Sequence, residues 1–172
     1  MKTIYTLILL LFTFINFISC KKEDNTTNEN SSTWIKTFGG PEEDVSIDVK
    51  QTLDEGFIIT GHTKSFGNGE TDIYLLKTDA DGNEQWSKTF GGENSDLSWS
   101  NSLLQTTDGG FIIAGHTQSF GNGGADVYLL KTDAVGNEQW SKTFGDSNHD
   151  RAYSVQQTND SGYIITGHTN SF

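Results

Sequence analysis

GFIIAGHTQSFGNGGADVYLLKTDAVGNEQWSKTFGD, residues 110–146, repeats a stretch that already runs from Gly56 to Gly92, and 30 of the 37 positions are identical between the copies. Its head returns a third time, from Gly162 to Phe172. Trp34, Trp86 and Trp140 lie 52 and 54 residues apart, and His62, His116 and His168 lie 54 and 52 apart. Self-similarity at this period marks an array of supersecondary units, each too small to bury its own apolar faces.

Each unit offers four short strand candidates between clusters of Gly, Asn, Asp and Ser, with no helical periodicity after Cys20. In the first unit they are Asp44 to Gln51, Gly56 to Thr63, Asp72 to Asp79 and Glu84 to Phe90. Asp54-Glu55-Gly56, Asp108-Gly109-Gly110 and Asp81-Gly82-Asn83 suit tight hairpins that require a positive φ. In the third strand Ile73 and Leu75 point to one face while Tyr74 and Leu76 point to the other, so both faces are apolar. Such a strand belongs to a sheet covered on both sides. Small antiparallel sheets, alike and stacked in chain order, describe β-propeller blades, whereas a two-layer sandwich would show polar alternation in most strands. The second unit carries two extra residues around Leu97, Trp99 and Leu103, which predicts a bulge or a longer loop there.

The stretch W-S-K-T-F-G-G followed by D-G-G-F-I-I-A-G-H-T-Q-S-F resembles the bacterial SBBP-type β-propeller repeat. Y-L-L-K-T-D-A-D-G-N-E-Q-W is similar to the strand-turn-strand of quinoprotein-type blades. The resemblance covers Trp34 to Phe172 and implies four-stranded antiparallel blades, used in a cell-surface or secreted protein for binding or spacing.

The expected organisation is an export segment at 1–19, a lipidated cysteine and tether at 20–33, and repeats at 34–172. The repeats divide into a lone closing strand at 34–40, blades at 41–92 and 93–146, and an incomplete blade at 147–172. This is a partial array of about two and a half blades, since a propeller closes on itself with about 4 to 8 of them. A fragment of a longer propeller lipoprotein is the expectation that follows.

The first twenty residues have a charged start at Lys2 and an apolar run to Ile18. This is a signal peptide layout, too short for a membrane span. F-I-S-C resembles the lipobox of bacterial lipoproteins, with Phe17 where leucine is usual, and the resemblance implies acylation of Cys20. Acyl chains would hold the protein at a bilayer. Lys21, Lys22, Glu23 and Asp24 resemble a surface-export signal of some Gram-negative lipoproteins, which implies a surface-exposed outer membrane protein. Residues 25–33 hold no apolar side chain and read as a disordered tether.

The chain carries 11 Lys and Arg against 23 Asp and Glu, a net charge of -12 that disfavours nucleic acid. Its single cysteine excludes an intrachain disulfide. The recurring G-H-T places His62, His116 and His168 at equivalent positions, where three imidazoles could ring a metal, but the Gly and Thr that repeat with them favour a structural role. Asp79 to Glu84 has the spaced oxygens of a calcium loop, yet Val135 replaces Asp81 in the second copy, so a hairpin turn is the better reading. No serine sits in a nucleophile elbow, and the carboxylates recur once per unit, which favours surface or turn roles over a unique active site. No catalytic residue, metal or cofactor is therefore assigned.

Trp86 and Trp140 repeat and read as filling between blades, whereas Trp99 occurs once and is the candidate for an exposed contact. The expected function is a lipid-anchored, non-catalytic binding or scaffold module for an extracellular protein or glycan. The alternative is a polysaccharide-degrading enzyme, or a propeller associated with one, whose catalytic part lies outside this chain.

Overall fold

The computed structural model describes residues 18–20 and 34–171. Apart from residues 18–20, the export segment and the tether lie outside the described residues, as does Phe172. The described chain is all-β, without helix. Its strands are β1 (Ile18–Cys20), β2 (Trp34–Lys36), β3 (Asp44–Gln51), β4 (Phe57–Thr63), β5 (Asp72–Thr78), β6 (Glu84–Phe90), β7 (Asp96–Gln105), β8 (Phe111–Thr117), β9 (Asp126–Thr132), β10 (Glu138–Phe144), β11 (Asp150–Gln157) and β12 (Tyr163–Thr169). Two four-stranded antiparallel sheets follow chain order, β3-β4-β5-β6 and β7-β8-β9-β10, and β11-β12 begin a third of the same pattern. These sheets do not close into a ring. The pairing of β1 with β2 was not expected, because the sequence reading placed Ile18 to Cys20 at the junction of export segment and tether.

The β7–β10 sheet is covered on both faces, and alternation along each strand decides which side chain goes where. Phe111, Ile113, Tyr128 and Leu130 pack with Ile58, Ile73, Leu75 and Phe90 of the preceding sheet. Ile112, Ala114, Val127 and Leu129 pack with Ala152 and Val155 of the following one. Every residue of β8 and of β9 is buried as a result.

Tryptophan joins each sheet to the next. Trp86 of β6 meets Phe111 at 5.9 Å between ring centroids and lies against Gly136 in the next sheet. Trp140 of β10 repeats the contact with Tyr163 at 5.8 Å. Trp34 of β2 does the same to Phe57 at 6.3 Å and to Gly82, so β2 stands where a fourth strand of a preceding sheet would stand. Main-chain bonds reinforce the joints: Asp96 N–H donates to Thr71 O at 2.7 Å and Asp150 N–H to Ala125 O at 2.6 Å. Gln105 and Gln157 each accept, at 3.0 Å, an N–H from the hairpin turn of the sheet before.

Buried Lys77 and Lys131 tie the two hairpins within a sheet. Lys77 Nζ donates to Asp54, to Thr78 O and to Gln85, and Lys131 Nζ to Asp108, Thr132 O and Gln139. A buried ammonium is tolerated because its donors are all used.

In the first hairpin turn the positive φ falls on Glu55 at 66°, and in the equivalent turns on Gly109 at 83° and Ser161 at 66°. Gly56 is held to glycine for another reason: a Cβ there would lie 2.2 Å from Thr78 O. Glu55→Gly removes the left-handed penalty on a side-chain-bearing residue and is expected to stabilise the fold by about 1 kcal/mol. Gly56→Ala is expected to destabilise it by about 2 kcal/mol or more through backbone displacement. Urea unfolding of both variants beside the parent checks the two opposite signs.

Candidate functional site

The first strands of the three sheets carry a bulge at one common place. In β3 the register shifts between Ser46 and Asp48, leaving Ile47 unpaired, and in β11 it shifts between Ala152 and Ser154, leaving Tyr153 unpaired. In β7 the shift spans Ser98 to Leu103, and Asn101 takes a φ of 60°. The two extra residues are absorbed in this wider bulge, and Leu103 beyond it still faces the core. A bulge frees a side chain from the pleat and re-aims it. Trp99 is the side chain re-aimed here.

Trp99 is half-buried and stacks on His116 with centroids 5.8 Å apart and planes at 25°. Its Nε1–H donates to His116 Nδ1 at 3.0 Å, which places the imidazole proton on Nε2. Tyr153 meets Trp99 edge-on at 5.8 Å and is 41% exposed. Three rings from two sheets thus form one cluster with an open tyrosine edge.

The repeated histidines do not share an environment. His116 is buried, and burial, with Arg151 nearby, pushes its pKa down to about 4. His62 is half-buried and its pKa is lowered, chiefly by burial, but its Nδ1 has no partner because Ile47 stands where Trp99 stands one sheet later. His168 is exposed. Among the described residues no group of three or more His, Cys, Asp or Glu is placed to hold a metal ion.

Asp79, read as a possible calcium ligand, is taken up by its own turn. Its Oδ1 accepts N–H groups from Asp81 and Asn83, and its Oδ2 accepts Asn83 Nδ2–H at 2.9 Å. Asp133 does the same with Val135 and Asn137, which is why loss of Asp81 in the second copy leaves the hairpin unchanged.

One expectation is corrected. The recurring carboxylates were assigned to surface or turns, but Asp72, Asp96, Asp126 and Asp150 are buried between sheets. The glycine-rich loops bring main-chain N–H groups to them: Asn68 and Gly69 donate to Asp72, Gly92 to Asp96, and Asn122 to Asp126. Ser119 Oγ–H also donates to Asp96 Oδ2, at 2.6 Å. A short polar acceptor repeating beside loop glycines was the signal available in the sequence.

Trp86 and Trp140 occupy sheet joints, as their repetition indicated, and Trp99 is set apart from them by its bulge. The side chain of Cys20 lies outside the described residues. No described helix is long and apolar enough to cross a membrane. Neither a known protein family nor any curated protein matches the chain.

The histidine sets a pH dependence. His116 binds its proton at about pH 4 folded and near 6.5 unfolded, so the unfolded state holds more protons between those values. Its contribution is full above pH 6.5 and is lost as the pH falls toward 4. Asp54 and Asp108, held down to about 2 chiefly by hydrogen bonds from Thr52 and Thr106, add their loss only below the ordinary carboxylate range. Denaturant midpoints at pH 7.5, 5.5 and 4.5 should therefore fall, by up to about 3 kcal/mol from this group. In His116→Gln the fall should be smaller by the His116 share, leaving the contribution of His62, which is lowered in the same direction.

Proposed function

We propose that the repeats are β-propeller blades of a cell-envelope lipoprotein, anchored through Cys20 at the outer membrane surface, and that they act as a non-catalytic module binding an extracellular glycan or protein. The observation that carries the reading is the Trp99–His116–Tyr153 cluster. It sits where the sequence departs from its own repeat, in a widened bulge, and Tyr153 is open to solvent. A half-covered indole beside an exposed tyrosine is the surface on which sugar rings stack, through apolar ring faces meeting aromatic π-faces.

The repeated aromatics are engaged elsewhere. Trp86, Trp140, Phe111 and Tyr163 meet one another across joints, and Phe66 and Phe120 lie on Tyr74 and Tyr128. Trp99 meets the next sheet only at Tyr153, whose ring is itself open to solvent. Its hydrogen bond to His116 fixes the indole plane, which lowers the entropy lost when a ligand lands on it.

The test is a glycan array and a surface-protein pull-down with the detergent-solubilised full chain and its Trp99→Ala and Tyr153→Ala variants. Binding that weakens at least tenfold in both variants, measured above pH 7 at a temperature where each variant is still fully folded, supports the module. Undiminished binding in both removes the cluster as the site. The anchor is tested separately: Cys20→Ser should move the chain from the membrane pellet to the soluble fraction.

A further inference from the structure

Each joint between neighbouring sheets encloses two carboxylates with a glycine between them. At the second joint, Asp126 Oδ1 and Asp150 Oδ2 lie 2.0 and 2.8 Å from the point where a Cβ on Gly145 would sit. At the first, Asp72 Oδ1 and Asp96 Oδ2 lie 2.0 and 2.6 Å from the same point on Gly91. Only glycine leaves that space between the oxygens. All four residues are at most 3% exposed.

These carboxylates are short of positive partners. Among the described residues the ion pairs join Lys50 to Asp48, Lys64 to Glu43, Lys77 to Asp54 and Lys131 to Asp108, and none reaches the joints. At the second joint Asp126 Oδ2 accepts Asn122 N–H at 2.8 Å, while Asp126 Oδ1, the oxygen facing Asp150, is buried with no partner. At the first joint Asp96 turns Oδ2 toward Asp72, and that oxygen accepts Gly92 N–H and Ser119 Oγ–H, while Asp96 Oδ1 is buried without a partner. Asp150 Oδ2 accepts Ser171 Oγ–H and Asp146 N–H.

Two buried carboxylates facing each other cost several kcal/mol per charge unless a cation or a proton sits with them. Oxygens on one calcium ion stand about 2.3–2.6 Å from it, hence up to about 5 Å from each other. Carboxylate pairs placed as these are meet that span. The main-chain carbonyls of Thr71 and Ala125 accept the Asp96 and Asp150 N–H groups across the same joints.

We infer that each inter-sheet joint is a divalent-cation site, suited to calcium by its all-oxygen donors, in which Asp72 with Asp96 and Asp126 with Asp150 hold one ion apiece and lock successive sheets together. The ligand set is two carboxylates from neighbouring sheets plus water oxygens, and it is independent of the aromatic cluster.

The experiment titrates calcium chloride into the EDTA-treated, detergent-solubilised full chain by calorimetry and follows thermal unfolding with and without 1 mM calcium. Expected are about two ions per chain and a rise in Tm of about 5 °C, as binding to the folded state alone requires. Asp126→Asn and Asp72→Asn, each nearly isosteric, should each remove one of the two ions. Absence of binding heat and of any Tm change up to 10 mM calcium would overturn the inference. So would both variants keeping two ions, or a Tm that rises in EDTA as the pH is lowered to 5 and is indifferent to calcium, since that pattern assigns a shared proton to each joint.

Discussion

The structure depends on a covering constraint: a four-stranded sheet of seven- to ten-residue strands has two apolar faces and nothing of its own to put on them. Each sheet is completed by its neighbours, and the tryptophan of its last strand is the part that crosses over. Trp86 reaches Phe111 and Gly136, and Trp34 reaches Phe57 and Gly82, in the same way. The glycine in the receiving hairpin is demanded by the indole, since a Cβ on Gly136 would sit 2.6 Å from Trp86. One aromatic side chain and one missing Cβ therefore define the sheet-to-sheet spacing.

The same constraint explains why identical residues differ in burial. Ile58 and Ile112 are fully buried, whereas their counterpart Ile164 in β12 is 58% exposed. Val49 in β3 is 46% exposed, while its counterparts Leu103 and Val155 are at 2% and 4% because a preceding sheet covers them. Local sequence makes the strand, and the neighbour makes the core. Energy in such an array is nearest-neighbour by construction, so damage at one joint weakens two sheets and leaves distant ones intact.

That division also separates what could be read from the chain from what could not. Strand positions followed from period-2 patterning and turn residues, and Asp44–Gln51 and Glu84–Phe90 match to the residue. The two-sided burial of β5 followed from Ile73 and Leu75 alternating with Tyr74 and Leu76, and its repeat β9 is buried throughout. The carboxylates went astray because residue type alone predicts exposure for aspartate. Their burial depends on loop N–H groups from residues before them and on the glycine after the last strand of one sheet, against which a carboxylate from each of two sheets packs, a relation across sheets that no local window contains. Burial of the histidines is not local either, since three identical G-H-T triplets hold one buried, one half-buried and one exposed imidazole.

Repetition and its breaking then carry different information. A residue present in every unit answers to the joint, as Trp86, Gly136 and Asp126 do, and its removal is felt as lost stability. A residue present once answers to something outside the frame. Trp99 has that character: its two-residue insertion is absorbed without disturbing Leu103 or the strands beyond, and Ile47 stands at the same bulge one sheet earlier without it. The indole nonetheless holds a fixed plane through its bond to His116, and an otherwise unpartnered imidazole nitrogen, as in His62, is satisfied by it. The insertion is tolerated by the core and orients a large amphipathic ring at the surface, and the proposed contact with another molecule rests on that orientation.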